Sequence, residues 1–228
     1  MKTFALSQST GAGSPDGAGI FDPRTFSDQY IVSDPATKQC AIIDPVLDFD
    51  EKSGATATFC ADALLKYIEE EGLTVAWILD THPHADHFSA AQYLKEKTGA
   101  PTAIGQYVTQ VQALWKEIYH WPEMPTDGRQ WDTLFVEGDT FAIGELSARV
   151  LHSPGHTPEH LSYLVTDLGG GADTPIGVVS GDFVFVGDLG RPDLLETAAG
   201  VSGTKEESAQ ALAASARRFL KLPDHRLH

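Results

Sequence analysis

A mixed α/β fold is the class that this 228-residue sequence predicts, and three features indicate it. Short runs rich in β-branched and aromatic residues alternate with stretches whose apolar residues recur at helical spacing. Glycine and proline separate these stretches, so that strand, loop and helix form the recurring unit. One apolar run leads directly into a segment of candidate metal ligands. The length suits one large domain, expected over residues 1–228, although length alone would also allow two small ones.

The N-terminal third predicts a loop, a pair of strands and a helix. Residues 7–19 are rich in Ser and Gly, which is typical of a loop over a pocket, with a disordered tail as an equal alternative. Gln29–Ser33 and Gln39–Ile43 are short β-rich runs that we expect to form a hairpin. Cys60–Glu71 has apolar residues at helical spacing and is followed by Gly72, a common residue after a helix.

The predicted strands and helices continue to alternate downstream. The aromatic, proline-containing stretch Tyr119–Trp131 interrupts them and is expected to be a loop packed onto the domain, the alternative being the rim of a cleft. The further predicted strands are Val75–Leu79, Thr133–Val136, Thr140–Ile143, Leu146–Leu151, Leu161–Val165, Gly177–Ser180 and Phe183–Val186. The further predicted helices are Phe88–Lys97, Tyr107–Tyr119 and Glu206–Leu220.

The chain is strongly acidic, with a formal net charge of −16 and a sequence pI near 4.8. Such a chain repels nucleic acid and anionic membranes, but a local cationic patch could still bind a small anionic substrate. Cys40 and Cys60 lack the spacing of a metal knuckle or redox motif, and nothing requires them to form a disulfide. The sequence shows neither a signal peptide nor a membrane span, so we expect a cytoplasmic protein.

The segment His82–His87 has the sequence His-Pro-His-Ala-Asp-His and directly follows the apolar run that ends at Leu79. Imidazole nitrogens and carboxylate oxygens are ligands for zinc, iron or manganese, whereas calcium and magnesium prefer all-oxygen shells. In an extended loop His82 and His84 point to one side, while Asp86 and His87 can address another. The segment therefore predicts a metal site and has ligands enough for two neighbouring metal positions.

Two further candidate ligands follow predicted strands downstream. His156 lies in a Ser-Pro-Gly-His-Thr turn, and Asp182 follows a Ser-Gly pair after an apolar run. Either residue alone would be a weak signal, because such residues are common in turns. Together with the His-rich segment they predict one shared site. The other histidines are expected to be structural or surface residues: His120, His152, His160, His225 and His228.

These motifs, in this order, resemble those of the metallo-β-lactamase superfamily over most of the chain. The resemblance implies an αβ/βα four-layer sandwich, in which two mixed β-sheets pack face to face, helices lie outside and the metal lies at one edge of the sheets. Within the superfamily, the stretches Ala41–Leu47 and Gly187–Leu194 are most similar to ETHE1-like persulfide dioxygenases, including bacterial members associated with rhodanese domains.

The resemblance to persulfide dioxygenases implies one Fe(II) per chain, with zinc as the alternative. Its ligands would be His82, His156 and Asp182. The other motif residues, His84, Asp86 and His87, would support this site from outside or belong to a vacant second one.

The substrates implied are O2 and glutathione persulfide, or a similar small persulfide, and the products are sulfite and a thiol. Arg191 is expected to bind a carboxylate of the substrate, and an ion pair with Asp188 or Asp193 is the equal alternative. A rhodanese partner and a homodimer are further expectations from the family.

The alternative function is that of a glyoxalase II-like hydroxyacylglutathione thioester hydrolase, which needs a dinuclear metal site. In the superfamily the second metal uses Asp86, His87, Asp182 and a late histidine that would follow a strand near Arg226. His228 falls several residues too early, so the second site is incomplete in this sequence. The second site would also look incomplete if the C-terminal end of the domain were missing from this sequence. Whether the protein itself lacks the late histidine therefore stays open.

Overall fold

The computed structural model describes residues 2–9, 14–166 and 175–221 of the chain. Its strands are β1 (Lys2–Ser7), β2 (Asp16–Asp22), β3 (Ser27–Ser33), β4 (Gln39–Ile43), β5 (Val46–Asp50), β6 (Ala55–Ala57), β7 (Thr74–Leu79), β8 (Phe88–Ser89), β9 (Thr102–Gly105), β10 (Thr133–Phe135), β11 (Thr140–Ile143), β12 (Leu146–His152), β13 (Leu161–Thr166), β14 (Pro175–Val179), β15 (Val184–Phe185) and β16 (Asp188–Leu189). Its helices are α1 (Phe59–Glu70), α2 (Ala91–Thr98), α3 (Val108–Ile118), α4 (Leu194–Ala199) and α5 (Thr204–Phe219).

The larger sheet has the strand order β1-β2-β3-β4-β7-β9-β10. Strands β1 to β4 pair antiparallel, and this confirms the predicted hairpin of β3 and β4. Strands β4, β7, β9 and β10 pair parallel, so the sheet is mixed. Because parallel strands run in the same direction, the carboxyl ends of β4 and β7 lie side by side at one edge of this sheet.

The central strands of the larger sheet are buried on both faces, as expected where layers cover a sheet on both sides. On one face, Ile42 of β4 packs with Leu64 of α1 and Leu94 of α2. On the other face, Ile43 packs with Tyr163 of the second sheet. Complete burial of one such aliphatic side chain contributes about 1.5–3 kcal/mol, so these two interfaces hold the layers together.

The smaller sheet has the order β11-β12-β13-β14 and is antiparallel throughout its described strands, whereas we expected both sheets to be mixed. Successive strands joined by tight turns pair antiparallel, because parallel pairing needs a long crossover. On the outer face of this sheet, Leu164 and Val178 pack against Leu212 and Phe219 of α5. The layer order is helix, sheet, sheet, helix, which confirms the expected αβ/βα sandwich.

The loop expected at residues 7–19 is wrong at its C-terminal end. Asp16–Asp22 forms β2, which pairs with both β1 and β3. Ala18 and Ile20 are buried there, but the intervening glycines hide the alternation that identifies a strand from sequence. Residues 10–13 lie outside the described part of the chain.

The helix expected from Phe88 begins three residues later, at Ala91. Phe88–Ser89 instead forms β8, which pairs with β5, and the Ala90 N–H donates to the carbonyl of Pro45. These contacts join parts of the chain that are distant in sequence. Local helical spacing therefore could not predict where the helix starts.

The cysteines and the aromatic loop were left with alternatives by the sequence. Cys40 and Cys60 are buried free thiols, and no disulfide joins them. In the aromatic loop, Trp131 Nε1 donates to Asp80 Oδ2 at 2.9 Å, so this part of the loop packs onto the domain, while Trp121 is exposed.

Within the described residues no helix is both long enough and apolar enough to cross a membrane.

Candidate metal centre

Three side chains that sequence places far apart meet at the edges of the two sheets. His82 follows β7 of the larger sheet, His156 lies between β12 and β13, and Asp182 follows β14. One ligand atom from each lies within 4.8 Å of the others. Asp182 Oδ2 is 3.5 Å from His156 Nε2 and 3.9 Å from His82 Nε2. Ligands about 2.1 Å from a shared ion are separated by about 3.0–3.5 Å, so the spacing suits a metal after small movements.

The hydrogen bond behind His82 sets which nitrogen can face a metal. The Thr81 hydroxyl donates to Asp44 Oδ2 at 2.8 Å and lies 2.9 Å from His82 Nδ1. Since the hydroxyl proton is used by Asp44, the hydroxyl oxygen must accept a proton from His82 Nδ1. The lone pair of His82 is therefore on Nε2, which is the nitrogen nearer Asp182.

His156 is oriented by the same principle through a main-chain group. Its Nδ1 lies 3.1 Å from the carbonyl oxygen of Arg191. A carbonyl only accepts, so Nδ1 carries the proton and Nε2 offers its lone pair toward Asp182. Two imidazoles and one carboxylate thus present unprotonated ligand atoms to a common point. This donor set fits a divalent transition metal.

Electrostatics also keeps these imidazoles neutral. Burial and the neighbouring histidines lower the pKa of His82 well below its ordinary value of 6.5. Burial likewise lowers the pKa of His156. Only a neutral imidazole can bind a metal, so the surroundings favour the ligand form near neutral pH.

A second group of candidate ligands lies beside the first. Atoms of His84, Asp86 and His87 lie within 4.8 Å of one another. His84 Nε2, however, is 3.1 Å from Asp44 Oδ1 and pairs with it. Burial alone would lower the pKa of His84, but the Asp44 carboxylate outweighs burial and raises the pKa to about 9. His84 is therefore a protonated partner of Asp44 rather than an available ligand in this arrangement.

Asp44 is the residue of this centre that sequence reasoning missed. It is buried and accepts hydrogen bonds from the Thr81 N–H, the Thr81 hydroxyl and His84. A signal for it existed, because Asp44 directly follows β4 as Asp80 follows β7, and these parallel strands end at the same edge. Asp44, Asp80 and His84 also form a third group with ligand atoms within 4.8 Å.

His160 was expected to be a structural or surface residue, and it lies inside the domain rather than on the surface. Its ring is buried, stacks on His82 at a centroid distance of 4.9 Å, and its Nδ1 lies 2.9 Å from the Ser153 hydroxyl. His120 is exposed, and His152 is partly buried with Nε2 donating to the Pro158 carbonyl. His225 and His228 lie outside the described residues.

The alternative stated for Arg191 is the one that the structure shows. Arg191 Nε and a terminal nitrogen lie 2.8 and 3.0 Å from the two carboxylate oxygens of Asp193. The guanidinium is about half exposed, with 55% of the side chain accessible. Arg191 contacts the centre only through its carbonyl, which orients His156.

A cavity of about 790 Å³ opens onto the centre. Its lining includes His84, Asp86, His87 and Asp182 together with apolar residues of β1, β3 and β14. A small organic molecule in this cavity would reach the open side of the metal ligands.

Comparison with known proteins places this geometry in a family. The profile of the metallo-beta-lactamase superfamily matches residues 22–227. The beta-lactamase hydrolase-like protein of Xylella fastidiosa is 55% identical over 211 residues, which are 92% of this chain but only 45% of that protein. The chain therefore spans about half the length of this curated relative.

Two other relatives are informative. Glyoxylase B2 of Dictyostelium discoideum is 41% identical over 204 residues, covering 86% of this chain and 62% of that protein. The crystal structure of ETHE1 from Myxococcus xanthus aligns with a TM-score of 0.65 and 27% sequence identity. The alignment covers 92% of this chain and 72% of that one. The profile match, the relatives and the layered fold agree: this chain belongs to the metallo-beta-lactamase superfamily.

Proposed function

We propose that this protein is a mononuclear non-haem iron persulfide dioxygenase. It would convert a small persulfide such as glutathione persulfide, RSSH, with O2 and H2O into the thiol RSH, sulfite and two protons. The terminal sulfur is oxidised and O2 is reduced, and the S–S bond breaks. The sequence resemblance and the similar fold of ETHE1 from Myxococcus xanthus support this proposal.

The observation that carries the proposal is the set of three ligand atoms from His82, His156 and Asp182. Two histidines and one carboxylate on one face are typical of ferrous oxygenases, in which the opposite face stays open. When bound there, Fe(II) would supply coordination positions for the persulfide sulfur and for O2. The cavity borders Asp182, so substrate would approach from that open side.

The remaining residues would orient and isolate this centre. Thr81 and the Arg191 carbonyl hold the protons of His82 and His156 on Nδ1, away from the metal side. Asp44 keeps the His84 proton on Nε2 and withholds that nitrogen from a second metal. Apolar cavity residues such as Val179 limit the water near the reacting sulfur. One metal position is favoured as a result.

A thioester hydrolase like glyoxalase II is the second candidate. The grouping of His84, Asp86 and His87 favours it, since these atoms could hold a second metal if His84 released Asp44. The 41% identity to glyoxylase B2 also supports it. Hydrolysis by a metal-activated water needs that second position filled.

The two candidates differ in what they consume. Purified protein loaded anaerobically with Fe(II) is mixed with persulfides of glutathione and of small thiols, and oxygen uptake, sulfite and thiol are measured. We expect one O2 consumed and one sulfite formed per persulfide. Hydrolysis of S-lactoylglutathione is followed in parallel with iron-loaded and zinc-loaded protein. Thioester hydrolysis without persulfide-dependent oxygen uptake would reject the dioxygenase in favour of the hydrolase.

A further inference from the structure

The charges around the cavity at the metal centre are unevenly distributed. Its apolar wall includes Phe4, Leu6, Phe26 and Val186. The acidic residues in its lining are Asp28, Asp44, Asp86 and Asp182, and the basic ones are His84 and His87. The described lining contains neither lysine nor arginine.

Two of the four carboxylates are engaged at the metal centre. Asp182 faces His82 and His156 as a candidate metal ligand, and Asp44 pairs with protonated His84. The side chains of the other two, Asp28 and Asp86, are exposed, and neither forms an ion pair with a lysine or arginine among the described residues. Asp86 accepts a hydrogen bond from the Ser27 hydroxyl at 2.8 Å and has an oxygen within 4.8 Å of His84.

Arg24 and Arg191 are close in sequence to residues that line the cavity, but both form ion pairs with aspartates outside its lining. Arg24 lies 3.1 Å from Asp48, and Arg191 is bound by Asp193. Tyr30 also lines the cavity. Burial and the negative charges of neighbouring aspartates, Asp28 first among them, raise the pKa of Tyr30 well above its ordinary value. A second negative charge, brought by a ligand, would meet the same repulsion.

We infer that this cavity selects persulfides whose substituent is neutral or cationic over persulfides whose substituent is anionic. Asp28 and Asp86 lie in the lining of a cavity with an apolar wall, and its described lining contains no lysine or arginine to compensate their charge. This inference rests on the proposed function and narrows its substrate class. Glutathione persulfide, which carries two carboxylates and one ammonium group, would be a poorer substrate than a small amine-bearing persulfide. Local charge sets the preference, since surface charges beyond about 10 Å are screened at ordinary salt.

A matched series of substrates tests the inference. The 2-aminoethyl, 2-hydroxyethyl and 2-carboxyethyl persulfides have nearly the same size and differ in charge. For the iron-loaded protein we expect kcat/KM for the first two to exceed that for the carboxyethyl compound by about tenfold. Equal or better use of the carboxyethyl persulfide would overturn the inference.

A charge reversal assigns the preference to one residue. Asp28 is exposed and is not one of the candidate metal ligands, so the Asp28→Lys variant should fold and bind iron normally. We expect it to shift the ratio of kcat/KM between aminoethyl and carboxyethyl persulfides about tenfold toward the anion. Glu51→Lys changes net charge equally at an exposed position outside the cavity lining and should leave the ratio unchanged. Equal effects of both variants would show that only overall charge matters.

A binding measurement separates this inference from the proposed reaction. The Co(II)-substituted protein is titrated with the three corresponding thiols, and the cobalt absorption bands report binding. Weaker binding of the carboxylate thiol, relieved in Asp28→Lys, supports the inference even if no persulfide consumes oxygen, in which case the proposed function alone fails. Oxygen uptake with persulfides but no charge preference in either measurement leaves the function standing and rejects the inference.

Discussion

Replacing Thr81 by Val removes one hydroxyl from the support of the metal centre without changing the shape of the side chain. The hydroxyl takes part in two hydrogen bonds, at 2.9 Å with His82 Nδ1 and at 2.8 Å with Asp44. A bond between neutral groups contributes about 1 kcal/mol, and one to a charged acceptor about 1.5–3 kcal/mol. Because all three groups are buried, we expect the free energy of unfolding to fall by about 2.5–4 kcal/mol.

The same substitution should weaken metal binding. Without the hydroxyl, His82 Nδ1 has no acceptor and the ring is free to rotate or to change tautomer. Loss of such a support typically costs 10–100-fold in metal affinity. Competition with a chelator for Fe(II) or Co(II) measures the affinity, and urea denaturation of the metal-free protein measures stability.

Thr81→Ser is the matched control, because it keeps the hydroxyl and loses only a methyl group. We expect its metal affinity to stay within about threefold of the natural protein, and its stability to fall by about 1 kcal/mol from the lost methyl. If Thr81→Val binds metal as tightly as Thr81→Ser, the hydroxyl does not orient His82, and the derivation of the ligand nitrogen is wrong.

Three further predictions concern the ligands, the nearby arginine and pH. His156→Ala or Asp182→Asn should abolish tight iron binding and oxygen uptake, as measured by metal analysis and an oxygen electrode; full activity in either variant contradicts the ligand assignment. Arg191→Ala should retain iron and change KM less than about twofold, since the guanidinium binds Asp193 and only the carbonyl holds His156; a tenfold rise in KM would restore Arg191 as the substrate anchor. Burial lowers the pKa of His160 to about 3, whereas an unfolded histidine titrates near 6.5, so the unfolded chain binds one more proton between these values. The free energy of unfolding of the metal-free protein should therefore fall with decreasing pH below about 6.5, by up to about 1.4 kcal/mol per pH unit from this group. His82 and His156, whose pKa values are also lowered, add to this fall, and His84, whose pKa is raised, opposes it. Urea denaturation at about pH 7.5 and about pH 5.5 measures the sum, and equal stability at the two pH values would contradict the set of buried neutral histidines.

Local sequence patterns predicted most elements whose signal is short-range. Thr140–Ile143 alternates buried and exposed residues and was predicted at its observed bounds. The helix predicted at residues 60–71 differs from α1 by only one residue at each end, because its apolar stripe is clear and a glycine follows it. By contrast, β8 and the start of α2 depend on pairing with β5, which lies about 40 residues earlier in the chain.

The candidate site was predictable as a set of residues but not as a network. His82, His156 and Asp182 are visible from motif and strand position, and the structure brings them together. The position of Asp44 directly after a predicted strand is a signal in the sequence, but its role depends on the parallel pairing of β4 with β7, which the sequence does not reveal. Arg191 had two alternatives of equal weight, because a carboxylate two residues away and a substrate carboxylate offer a guanidinium the same chemistry.

One iron per chain, held by two histidines and one aspartate, is the centre that we propose for the reaction. The most direct measurement is a titration of the metal-free protein with Fe(II) under anaerobic conditions, with persulfide-dependent oxygen uptake recorded at each ratio. Activity that rises linearly and stops at one equivalent is the result predicted here. A break at two equivalents, or thioester hydrolysis that appears only with two zinc ions per chain, would contradict a mononuclear dioxygenase.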